Sequence, residues 1–119
     1  MRITFRPNTA RNRVNESSAL TVVAKVWDDA TDVEAWVAQV PTTLHYRLDC
    51  LSTGTQILDW TSITADDVSS IAITATQNAI QSDCNEIERK QLTVKANSGL
   101  STQYQASFSY DVTNLFGQT

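Results

Sequence analysis

Between Thr43 and Trp60 the chain reads TLHYRLDCLSTGTQILDW, and few backbone shapes suit that order of side chains. Leu44, Tyr46, Leu48 and Cys50 alternate with His45, Arg47 and Asp49. Successive side chains of an extended strand point to opposite faces, so the first set shares an apolar face and the second a polar one. Ser52-Thr53-Gly54-Thr55 then supplies turn chemistry, with Gly54 free to take a positive φ. Ile57, Leu58 and Trp60 begin a second apolar run. The stretch predicts a β-hairpin in an antiparallel sheet with one wet face. The apolar face of such a sheet needs a second layer to cover it.

Other apolar runs have the same period. LTVVAKVW over 20–27 sets Leu20, Val22, Ala24 and Val26 against Thr21, Val23, Lys25 and Trp27. Two apolar residues in the outer set, Val23 and Trp27, predict cover there by the N-terminal segment or a neighbouring molecule. Val33–Val40 fits a strand, although Val33, Trp36, Val37 and Val40 also share one side of a helix; eight residues suit the strand better. Ser70–Thr76 alternates Ile71, Ile73 and Ala75 with Ser70, Ala72, Thr74 and Thr76, and one helical turn is expected around Ala79 and Ile80. Glu86–Asn97 points Leu92, Val94 and Ala96 inward and Arg89, Gln91, Thr93 and Lys95 outward. Thr102–Asn114 gathers Tyr104, Ala106, Phe108, Tyr110 and Val112 on one face.

These runs, with turns between them, predict an all-β fold: an antiparallel β-sandwich of about seven strands. The 119 residues suit one such domain. The expected division is an extended N-terminal arm over 1–18, the sandwich over 19–115 and a C-terminal tail over 116–119. Within the arm, Arg2–Arg6 is a short candidate strand that Pro7 ends.

Charge is unevenly spread. Net charge is −4, yet Arg2, Arg6, Arg11 and Arg13 all fall in the first fifteen residues, with no acid among them. The remainder holds five basic and thirteen acidic residues. A basic arm on an acidic body predicts docking of the arm on something acidic, while the overall charge argues against a nucleic-acid partner. No apolar run approaches the roughly 20 residues that span a bilayer, so no membrane partner is expected. The basic N-terminus has no hydrophobic stretch behind it, which predicts synthesis in a cytoplasm without a secretory signal.

Candidate chemistry is sparse, and no enzyme is expected. His45, the only histidine, lies about 13 Å along the strand from Asp49, too far for a hydrogen bond. Asp28, Asp29, Asp32 and Glu34 could offer oxygens to calcium, but they lack the glycine and spacing of a calcium loop and read as a solvated turn. Asp66 and Asp67 read the same way. Trp27, Trp36, Trp60, Tyr46, Tyr104 and Tyr110 could include a sugar platform, although in a sandwich most such aromatics fill the core. Cys50 and Cys84 match no metal motif and are expected as free thiols in a reducing compartment, with a disulfide between them as the alternative if the mature particle meets oxidants. Phosphate loops, paired cysteine motifs and nucleophile elbows do not occur, so no cofactor, metal or catalytic residue is assigned.

Several segments carry a resemblance. Tyr46-Arg47-Leu48-Asp49, Gly54 through Asp59-Trp60, Ile71-Ala72-Ile73-Thr74, Asn78-Ala79-Ile80 and Arg89 through Ala96 occur in that order. Together they resemble short immunoglobulin-like or fibronectin-type-III-like proteins encoded among the structural genes of tailed bacteriophages. Residues 88–99 are similar to the penultimate strand and following turn of a fibronectin-like sandwich. The resemblance covers roughly residues 20–115 and leaves the arm outside. It implies a virion component, most simply a capsid decoration or cement protein on the outer head surface. The implied partner is the major capsid protein or another virion protein, and a homo-oligomer on the capsid is compatible. Arg2, Ile3, Phe5, Arg6, Arg11 and Arg13 are the expected contact residues. A tail or head–tail junction component, or a carbohydrate- or cell-surface-binding module, is the alternative.

Overall fold

A computed structural model of the protein describes residues 2–9, 12–28, 37–81, 86–97 and 103–114. Nine strands form among them: β1 (Arg2–Pro7), β2 (Arg13–Asn15), β3 (Leu20–Asp28), β4 (Val37–Ala38), β5 (Thr43–Cys50), β6 (Thr55–Ile63), β7 (Val68–Ile73), β8 (Ile87–Asn97) and β9 (Gln103–Thr113). No helix among the described residues is long and apolar enough to cross a membrane.

The strands make two open sheets. In the first, β3 pairs antiparallel with β1 on one side and with β7 on the other, and short β4 pairs with β3 at Trp27 and Asp28, beyond the end of the β7 ladder at Lys25. The second has the order β2-β9-β8-β5-β6; it is antiparallel except where β2 runs parallel to β9. Both sheets turn their apolar faces into one core. Ile3, Leu20, Val22, Ala24, Val26, Ile71 and Ile73 come from the first sheet; Leu44, Leu48, Leu92, Val94, Ala96, Tyr110 and Val112 come from the second. Each set obeys the two-residue period of its strand.

The Thr43–Trp60 hairpin forms as β5 and β6, and Gly54 takes φ +73° in its turn. Its register shifts on either side of Leu48, so β6 bulges opposite Arg47 and turns Trp60 toward it. The single helical turn expected around Ala79 and Ile80 falls a few residues earlier, over Thr74–Asn78, where Asn78 N–H donates to the Thr74 carbonyl at 3.2 Å. Of the strand expected over Val33–Val40, Val37–Ala38 form β4 and Gln39 and Val40 do not continue it; Val33 to Trp36 lie outside the described residues, as do Cys84 and the tail over 116–119.

The N-terminal segment does not stand apart as an extended arm. Arg2–Pro7 pairs along the length of β3 from Arg2↔Trp27 to Pro7↔Val22. Arg13–Asn15 then joins the far edge of the other sheet, beside Asp111–Thr113. The physical reason is alternation within RITFRP: Ile3 and Phe5 face the core while Arg2, Thr4 and Arg6 face out. Burying Ile3, only 6% exposed, favours docking the strand over leaving it in water. Asn12 and Ser17, both at positive φ, flank β2 where the chain passes from one sheet to the other and back.

Candidate docking face

The outward face of the β1–β3–β7 sheet gathers cations and apolar groups. Cross-strand register places Arg2 opposite Trp27, Thr4 opposite Lys25 and Arg6 opposite Val23. Lys25 and Val23 are in turn opposite Val68 and Ser70. Directly opposed side chains share a face, so Arg2, Arg6 and Lys25 form a triangle around Val23, Trp27 and Val68. Across these three strands the single acid is Asp28, at the last position of β3. Val68 is 45% exposed and Trp27 half-buried. A groove of about 330 Å³ runs over the face between Thr4, Arg6, Val23, Lys25 and Val68.

The aromatic on this face is held in place. Lys25 Nζ stands 3.9 Å from the centre of the Trp27 ring, and Trp27 Nε1 donates to Thr4 Oγ1 at 2.9 Å. Val23 and Trp27, expected to be covered by the N-terminal segment or a neighbouring molecule, are flanked and not covered by the first: β1 lies beside β3, and its outward side chains rise around them.

The six expected contact residues separate. Arg2 and Arg6 share this face. Ile3 is in the core, and Phe5 is half-buried with its ring 5.9 Å from Phe108. Arg13 is exposed on the opposite sheet, in register with Asp111, which also binds Arg89 at 3.2 Å. Arg11 lies outside the described residues. Lys25, which was not singled out from sequence, takes its place, because alternation from Leu20 puts position 25 on the same side as 23 and 27.

The outward face of the second sheet is differently built. Arg47 binds Asp49 with two hydrogen bonds of 2.9 and 3.0 Å, and the guanidinium pKa is raised first by that bond. Arg47 and Lys95 both approach the Trp60 ring, at 5.6 and 4.3 Å, so cations occupy the surface that a sugar platform would use. His45 is half-buried between Ser62 and Lys95 in register, with Nδ1 buried and without a hydrogen-bond partner among the described residues. Among the described residues no group of three or more His, Cys, Asp or Glu could hold a metal ion. Asp28 ends β3, while Asp29, Asp32 and Glu34 lie outside the described residues.

One polar cluster was not anticipated. Glu88, Lys90 and Asn78 are 0% exposed. Lys90 Nζ donates to the Ala79 carbonyl at 2.9 Å and lies 3.9 Å from Glu88 Oε1. Glu88 Oε1 also accepts from Gln81 N–H at 2.7 Å and from the Cys50 thiol at 3.7 Å. Tyr110 donates to Asn78 Oδ1 at 2.6 Å, and Asn78 Nδ2 donates to the Ser18 carbonyl at 2.7 Å. Burial lowers the Lys90 pKa, against the pull of Cys50 and Glu88; burial raises that of Tyr110, with Cys50 adding to it. The signal was present in the sequence: the period that turns Leu92 inward also turns Lys90 and Glu88 inward.

Comparison of the chain with family models, curated proteins and solved structures gives no match.

Proposed function

We propose that the chain is an immunoglobulin-like virion structural protein of a tailed bacteriophage, a decoration or cement protein on the outer capsid surface. The observation that carries the docking half of this reading is the outward face of β1, β3 and β7. There three cations ring three apolar side chains, Val23, Trp27 and Val68, on strands whose single acid is terminal. That combination suits an acidic, partly apolar protein surface such as a capsid shell, where apolar contact gives affinity and charge gives orientation. Arg2, Arg6 and Lys25 make the contacts, and Ile3 and Phe5 support the face from beneath. Arg13, on the other sheet, lies away from it.

Strand order supports the immunoglobulin-like half. β1, β3 and β7 lie in one sheet and β6, β5, β8 and β9 in the other, the division that a variable-type immunoglobulin sandwich would have. The resemblance of residues 20–115 to phage structural proteins supplies the virion setting. No catalytic role is part of this reading.

Co-sedimentation with empty capsids at low and high salt tests it. The expected result is a fixed copy number per shell that falls as salt rises, because exposed charge contacts are screened beyond about 10 Å at 0.1 M. Absence of binding at every salt concentration would reject the decoration role and move the protein to the tail, the head–tail junction or a cell-surface glycan.

A further inference from the structure

Cys50, Lys90 and Tyr110 form one row across β5, β8 and β9, since Lys90 is the register partner of both others. Opposed residues on neighbouring strands hold their β-carbons about 4.5–5.5 Å apart, so the Lys90 and Tyr110 side chains rise together. They end on adjacent residues of one turn: Lys90 Nζ on the Ala79 carbonyl, Tyr110 hydroxyl on the Asn78 carboxamide oxygen. The primary amine and a buried carboxamide, whose oxygen already accepts a hydrogen bond, are therefore gathered at neighbouring residues of one turn. Glu88, two residues before Lys90 on the same inward face, holds Oε1 3.9 Å from the amine.

We propose that Lys90 and Asn78 join through an isopeptide bond that the folded chain makes itself, with Glu88 transferring protons and Tyr110 holding the carbonyl. Lys90 first gives a proton to the Glu88 carboxylate, leaving a neutral amine and a carboxylic acid. The amine lone pair attacks Asn78 Cγ, and the carbonyl π electrons move to Oδ1, where the Tyr110 hydroxyl donates. As the carbonyl re-forms, the Cγ–Nδ2 bond breaks, and Nδ2 takes the Glu88 proton and departs as ammonia. The new amide nitrogen returns its surplus proton to Glu88, which ends protonated. Neither an oxidant nor a co-reactant is needed. Burial assists the first step by favouring the uncharged amine. The fold supplies the remainder by gathering nucleophile, proton carrier and electrophile in one buried cluster shielded from water.

The test is the intact mass of the purified, fully denatured wild-type protein, followed by tryptic mapping. The expected mass is one ammonia below that of the sequence. Trypsin should fail to cut after Lys90, and residues 48–89 should be recovered joined to residues 90–95. Lys90→Arg and Glu88→Gln should restore the full sequence mass, with the fold followed by circular dichroism. Full mass in folded wild-type protein after prolonged incubation overturns the proposal. So does an ammonia loss that maps to one asparagine as a succinimide, without a Lys90–Asn78 linked pair. Neither readout depends on capsid binding.

Discussion

Tyr110 shows how one hydroxyl can serve both stability and pH response. Its bond to Asn78 Oδ1 satisfies a buried acceptor, and Asn78 in turn binds the Ser17–Ser18 backbone where the chain leaves β2. Tyr110→Phe leaves that acceptor without its donor, and the expected loss is about 1–3 kcal/mol in denaturant unfolding at pH 7. The pKa of Tyr110 is raised above its ordinary value of 10 by burial, with Cys50 adding to it. In alkali the unfolded chain therefore releases this proton first, and the folded state binds more protons. The stability that Tyr110 contributes is complete below pH 10 and declines as pH rises above it. Unfolding titrations across pH 8–11 should show a steeper alkaline decline in wild type than in Tyr110→Phe, and parallel curves would refute the assignment. Gly54 is a simpler case. Nothing lies within 4 Å of where its side chain would begin, so only its φ of +73° resists substitution. Gly54→Ala should cost about 1 kcal/mol and Gly54→Asn less, as read by thermal unfolding.

Among the elements, β1 decides whether the N-terminus is a tether or part of the fold. Ile3→Ala opens a cavity between the sheets and should cost about 2–5 kcal/mol. Arg6→Gln, on the exposed face of the same strand, should stay within about 0.5 kcal/mol. Chemical denaturation of the two variants checks both; equal, small effects would mean that β1 does not belong to the core. The strand was legible in RITFRP as a short extended run, but its destination was not. Four arginines in fifteen residues read as a solvated block, although Ile3 and Phe5 alternate among them as they would in a half-buried strand. The hairpin, β3, β8 and β9 were legible for the opposite reason: each is long enough for the two-residue period to be unmistakable. Three-residue β2 is too short to carry a period, and β4 is shorter still. Glu88 and Lys90 are obscured by their charge, since the apolar residues that mark the inward face of β8 begin only at Leu92. The outward side of Lys25 is legible in the alternation of LTVVAKVW, but only the β1–β3 register brings it beside Arg2 and Arg6.

At the scale of the whole molecule, the net charge of −4 conceals a face of the opposite sign. Most acids lie outside β1, β3 and β7 in the sequence, and β1 and β3 present their cations around apolar residues. The proposed docking role depends on that separation and not on total charge. The direct measurement compares wild-type protein with Arg6→Glu/Lys25→Glu for co-sedimentation with empty capsids. Both are compared at low salt, with Arg89→Glu on the other sheet as the control. Placing two carboxylates on the face should weaken binding by about tenfold or more, since like charges across an interface cost on the order of several kcal/mol, while Arg89→Glu binds as wild type does. Equal binding by all three proteins, or loss only in Arg89→Glu, would contradict the account and place the contact on the other sheet.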